Sequence, residues 1–162
     1  MSPKTATTTP REAARMLDQL ERAYDGDAWH GMPVRELLDD VTFRMAAARP
    51  IAGGHTIWEL VAHITYWLDA AARRLGGETV DPVNDADWPA MPAPSSAAWA
   101  AALSALEAGH RRLLAALGAL GDADLEGPVP GHDYTRYVLV HGVLQHTLYH
   151  AGQIALLKRA AA

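Results

Sequence analysis

Apolar residues recur along this chain in steps of three and four, and each sustained stretch of that spacing predicts a helix. Thr9-Pro10-Arg11-Glu12 reads as the first start, because Thr9 can cap, Pro10 suits the first helical position and Glu12 completes a capping box. Helix one then runs through Leu17 and Leu20 to about Tyr24. It breaks over residues 25–32 and resumes from Pro33 through Leu37, Leu38 and Val41. A second capping box, Thr56-Ile57-Trp58-Glu59, opens helix two over about 56 to 75, with Leu60, Ile64, Trp67, Ala71 and Leu75 on its apolar stripe.

From Gly76 to Ser95 the pattern stops. Four prolines and no periodicity predict a long connection that crosses the bundle or covers one end, and this segment is the lid candidate. Ser95 or Ser96 caps helix three, where Trp99, Leu103, Leu106, Leu113, Leu117 and Leu120 alternate four and three residue steps, with His110 completing the series. After a loop rich in Gly and Pro, helix four runs from about Thr135 to Ala160. No strand signal competes, and no internal repeat is present. The expected fold is all-α. It is a four-helix bundle with helix one interrupted by a loop and a long loop between helices two and three. Residues 10–162 form a single domain behind a flexible tail of residues 1–9.

Composition narrows the class. A chain of 162 residues buries roughly 70% of its unfolded surface and can fold without staples. It has no cysteine, which removes disulfides and thiolate ligands together, so any metal must be held by nitrogen or oxygen. The opening MSPKTATTT is polar, and no apolar run approaches the roughly 18 residues of a membrane helix. A soluble cytoplasmic protein without membrane contact is expected. The net charge is −5 and the fourteen Lys and Arg are scattered, which argues against a nucleic-acid surface and for a small-molecule substrate or a protein partner.

The chemistry lies where polar residues interrupt the apolar stripes. Taking His146 as zero on helix four and advancing about 100° per residue, His150 falls at about 40°, while Leu139, Val143 and Leu157 lie within about 60°. Two imidazoles thus occupy a buried stripe, and each one left without partners costs roughly 1 to 3 kcal/mol. Residues four apart on a helix can share one metal ion, and His63, beside Leu60 and Trp67 on helix two, is the best placed third ligand. Three neutral imidazoles would leave an open coordination position, the catalytic kind. The same residues also fit core histidines bonded to carbonyls or to each other. Thr147 stands where HExxH has its glutamate, so a zinc-protease mechanism is not supported.

Other residues are weighed on the same terms. His30, in the loop that interrupts helix one, can reach over a metal or remain a loop histidine. Gln153 can orient a ligand imidazole, and Trp67 and Tyr149 can line a pocket or fill the core. His55 reads as a loop or capping contact, and His110 as a core histidine with one hydrogen bond ahead of a fourth protein ligand facing the metal. His141 points about 140° from His146 on the same wheel, and His132 is expected to be exposed. Gly142, one turn before His146, either leaves room for a ligand or permits close helix packing.

The wording around the pair, Gly142-Val-Leu-Gln-His146-Thr-Leu-Tyr-His150-Ala-Gly-Gln153-Ile-Ala-Leu-Leu, resembles the closing helix of the DinB-like family. His55-Thr-Ile-Trp-Glu-Leu-Val-Ala-His63-Ile is similar to that family's second helix, and Ala28-Trp29-His30-Gly31 to a loop of many members. The resemblance covers nearly the whole chain from about residue 10. It implies a four-helix bundle, often a homodimer, with one divalent ion (Zn²⁺, Ni²⁺ or Fe²⁺) held by His63, His146 and His150. It further implies either a thiol S-transferase using a low-molecular-weight thiol or a hydrolase. The alternative is a non-catalytic dimeric bundle that binds metal or a small ligand in a stress response. The residues themselves do not choose between these.

Overall fold

The computed structural model describes residues 12–81 and 87–161. Thr56 and Glu59 set the first long helix of the core: Thr56 Oγ1 accepts from the Glu59 backbone at 3.1 Å, and Glu59 Oε2 accepts from the Thr56 backbone at 2.7 Å. Two orphan donors are thereby satisfied reciprocally. Helix α4 follows over Ile57–Leu75, preceded by α1 (Glu12–Asp25), α2 (Val34–Leu38) and α3 (Phe43–Ala47). Ser95 Oγ accepts from the Ala98 backbone at 3.1 Å and starts α5 (Ser96–Gly118). Then come α6 (Asp122–Leu125) and α7 (Arg136–Ala161).

The four longer helices pack in a ring, α1 on α5, α5 on α4, α4 on α7 and α7 on α1. Ile57, Leu60, Ile64 and Leu68 of α4 meet Leu106, Leu113 and Leu117 of α5 and Ile154 of α7, all fully buried. Leu60, Ile64, Leu106, Leu113 and Leu117 are positions of the predicted stripes, and the all-helical expectation holds. The expected count of four does not. Among the described residues there are seven helices, three of them short.

Two of the extra helices replace the second half of the expected first arm. It does not run unbroken from Pro33 to Val41: α2 stops at Leu38, and Thr42 opens α3 by accepting from the Met45 backbone at 3.3 Å. Two carbonyls at the gap are held by side chains from elsewhere in the fold. Lys158 Nζ donates to Leu37 O at 2.7 Å and Trp99 Nε1 to Val41 O at 2.7 Å. The third, α6, stands where a plain loop is expected. It buries Leu125, and its Asp122 accepts from the Ala13 backbone at 3.1 Å, serving the N-terminal end of α1. The proposed cap at Thr9 and Pro10, and the tail before it, lie outside the described residues.

One bridge, Pro128 with Thr135, ties the ends of the loop before α7. Within it Gly131 has φ +79°, and a β-carbon there would lie 2.8 Å from Thr79 Cγ2. Glycine is therefore required twice over, by the left-handed backbone and by the approach of the segment that follows α4. That close approach brings residues 79–80 and Tyr134 to the same end of the helix ring.

Candidate metal centre

His63 projects from the middle of α4, and His146 and His150 from successive turns of α7. Their Nε2 atoms converge: His146 Nε2 is 3.0 Å from that of His63 and 3.0 Å from that of His150, and all three lie within 4.8 Å of one another. His63 and His150 are buried, His146 half-buried. A tetrahedral set of nitrogens about 2.0–2.1 Å from an ion has edges of about 3.3 Å, close to the two shorter spacings.

Hydrogen positions follow from the partners on the far side of each ring. His63 Nδ1 lies 2.8 Å from both the backbone oxygen and Oδ1 of Asp87, so this nitrogen donates. His150 Nδ1 lies 2.6 Å from Gln153 Oε1 and also donates. In the neutral rings both Nε2 atoms are then lone pairs, and both face His146 Nε2. A single hydrogen on that atom can serve only one of them. The His146 Nδ1 atom is itself buried and has no partner among the described residues. A cation satisfies three converging lone pairs together, so the donor set fits a divalent metal with nitrogen preference.

Electrostatics keep the rings in the form that binds metal. Burial, followed by the neighbouring His150 and His63, pushes the His146 pKa down to about 4. Burial also lowers that of His150, against the opposing hydrogen bond from Gln153. Metal ligation requires the neutral imidazole, which both groups therefore hold at neutral pH.

The segment after α4 supplies what periodicity could not reveal. Asp87 Oδ1 accepts from Trp67 Nε1 at 2.6 Å as well as from His63, and Trp88 stacks on His63 at 3.9 Å between ring centres. The outer face of Trp88 stacks in turn on His55 at 3.7 Å. The only signal in the sequence was an acid beside a tryptophan within the lid candidate. Beside the histidines opens a cavity of about 480 Å³, lined by Trp67, Arg74, Asp87, Tyr134, Leu139, Val143 and others, with His63 and His146 in its wall. A larger groove of about 600 Å³, by Tyr24 and Trp99, touches none of the three histidines.

The other expected residues fall as follows. Gln153 meets His150 directly, and Trp67 holds Asp87. Tyr149 lies 5.1 Å from His150 between ring centres but is largely exposed. His30 is exposed and lines a separate groove with Asp18, Arg22 and Leu148. It is not brought to the histidine cluster. His110 stacks on Tyr24 at 4.1 Å, in the core away from the cluster. His132 is half-buried against Tyr134 at 4.9 Å, not exposed as expected, because the Gly131 turn folds its ring inward. Gly142 borders the cavity, and a β-carbon there would meet nothing within 4 Å. Close packing within the chain is thus not what its missing side chain serves.

A helical protein with one histidine from a middle helix and an HxxxH pair from its last helix, all facing one point, is a candidate metalloprotein. The family follows from comparison: the DinB superfamily model matches residues 27–154, and the chain belongs to that superfamily. No curated protein and no solved structure matches the chain significantly. No helix among the described residues is long and apolar enough to cross a membrane.

Proposed function

We propose that this chain holds one divalent ion through His63, His146 and His150 and is a metal-dependent enzyme of the thiol S-transferase or hydrolase type. The observation that carries the reading is the convergence of three Nε2 atoms, two of them deprived of hydrogen by acceptors on the opposite side of their rings. When bound, the ion supplies Lewis acidity to an anionic sulfur or oxygen of a substrate. The chain's own residues do the remaining work. Asp87 fixes the tautomer and direction of His63, Gln153 does the same for His150, and Trp88 covers the His63 ring.

Trp67, Leu139 and Val143 give the adjoining cavity an apolar wall that receives a small molecule and excludes water from its far side. The proposed partners are that substrate, a low-molecular-weight thiol in the transferase case, and a second copy of the chain. Support for the last is the exposed Val138, Tyr149 and Leu156, which share one side of α7 on a helical wheel.

Elemental analysis of untagged protein purified without added metal tests the centre. About one ion per chain in wild type, lost in His63→Ala, is expected. No metal in either protein, with undiminished thermal stability, would return the three histidines to the core.

A further inference from the structure

Arg74, in the last turn of α4, is 3% exposed, an unusual state for a permanently charged side chain. Its described contacts are all neutral. Nε donates to Val80 O at 3.0 Å and one terminal nitrogen to the same carbonyl. The other donates to Tyr134 Oη at 3.1 Å, and the guanidinium carbon lies 5.5 Å from the Trp67 ring centre. No carboxylate among the described residues forms an ion pair with it, whereas the exposed Arg112 of α5 has one in Asp69 at 3.0 Å. A buried cation without a counter-charge is costly, and a ligand anion is one way to compensate it.

The donors left over point to such a ligand. A guanidinium carries five N–H groups. The three bonds above leave one hydrogen on each terminal nitrogen without a described partner. Tyr134 Oη accepts from Arg74, so its own hydrogen is free to donate. Both side chains line the cavity that reaches His63 and His146. The guanidinium carbon sits over the Trp67 ring, and the free hydrogens on both terminal nitrogens form a fork that suits a carboxylate. Asp87 shares the cavity wall and opposes a second negative charge.

We infer that Arg74 and Tyr134 form a carboxylate-binding subsite, and that the molecule taken by this cavity is a monocarboxylate with an apolar body. The body lies along Ala71, Leu139 and Val143. This names the substrate class of the proposed enzyme, and it rests on that reading only for the reacting end, which would face the histidines.

The test separates the two readings by using protein freed of metal with a chelator. Calorimetric titration with 4-phenylbutyrate and with its neutral amide measures the subsite alone. The acid is expected to bind at least tenfold tighter than the amide. Tyr134→Phe should weaken the acid several-fold without affecting the amide, and Arg74→Lys, which keeps the charge and loses the fork, should weaken it about tenfold. Circular dichroism checks that each variant keeps its fold, and Tyr134→Phe carries the test if Arg74→Lys does not. Equal binding of acid and amide, acid binding indifferent to Tyr134→Phe, or acid binding only after metal is restored would each overturn the subsite. Failure to find metal in the native protein would instead overturn the enzyme reading and leave this result standing.

Discussion

Replacing Asp87 by Asn removes one charge from behind His63 and almost nothing else. The side chain is isosteric, its oxygen can still accept from Trp67 Nε1, and the backbone oxygen of residue 87 stays 2.8 Å from His63 Nδ1. The tautomer is therefore retained, and what is lost is the negative charge behind the ring. Changes behind a metal ligand typically cost about 10 to 100-fold in affinity. With the backbone acceptor in place, the lower end applies to Asp87→Asn, about tenfold or 1.4 kcal/mol. Asp87→Ala also releases Trp67 and the segment that carries Trp88, so its loss should lie nearer a hundredfold. Competition with a chromophoric chelator for Zn²⁺ measures both, and the order wild type, Asn, Ala is the prediction. Wild-type affinity in both variants would refute the role given to this carboxylate.

His146→Ala should abolish metal binding yet leave a largely helical protein, since the leucine seams of α4 and α5 do not involve the ion; metal retained at full stoichiometry by elemental analysis would contradict the site. His110 tests burial alone: its pKa is pushed down to about 4, first by desolvation, from an ordinary value of 6.5. Because the unfolded chain takes up the proton first, the His110 contribution is full above about pH 6.5 and falls by about 3 kcal/mol as pH drops toward 4, on top of whatever the other buried histidines lose. His110→Phe keeps the stack on Tyr24 and removes that loss, so urea denaturation in chelator should show its advantage growing as pH falls; a constant difference would be the contrary result. Gly142→Leu should leave stability unchanged or raise it by up to about 1 kcal/mol of helix propensity, while filling the cavity and weakening binding of small carboxylates. Unchanged binding by calorimetry would show that the cavity is not where they enter.

The long helices were legible because their information is periodic. The capping box at Thr56 and the serine at 95 mark real helix starts, and the 40° offset of His150 from His146 already sets both rings on one face. The break between α2 and α3 was not legible, since the Lys158 and Trp99 side chains that hold carbonyls beside it come from far along the chain. Asp87 and Trp88 escaped for a related reason. They belong to an aperiodic segment, where no wheel or register relates a residue to a distant histidine. Arg74 looks like an ordinary cation in a helix's last turn until the loop carrying Val80 and the one carrying Tyr134 close around it. For His30 the sequence left both readings open, reach over a metal or a plain loop histidine, and the loop turns to a different groove.

The strap bearing Asp87 and Trp88 is fastened to the same ring that offers Nε2 to the centre. Grip on an ion and closure of the strap are therefore two readings of one equilibrium, and reciprocity requires each to strengthen the other by the same free energy. On the proposed function, a loaded molecule would hold residues 87 and 88 against His63 more firmly than an empty one. The difference would be visible from outside, as a rate of protease cleavage within residues 87–95.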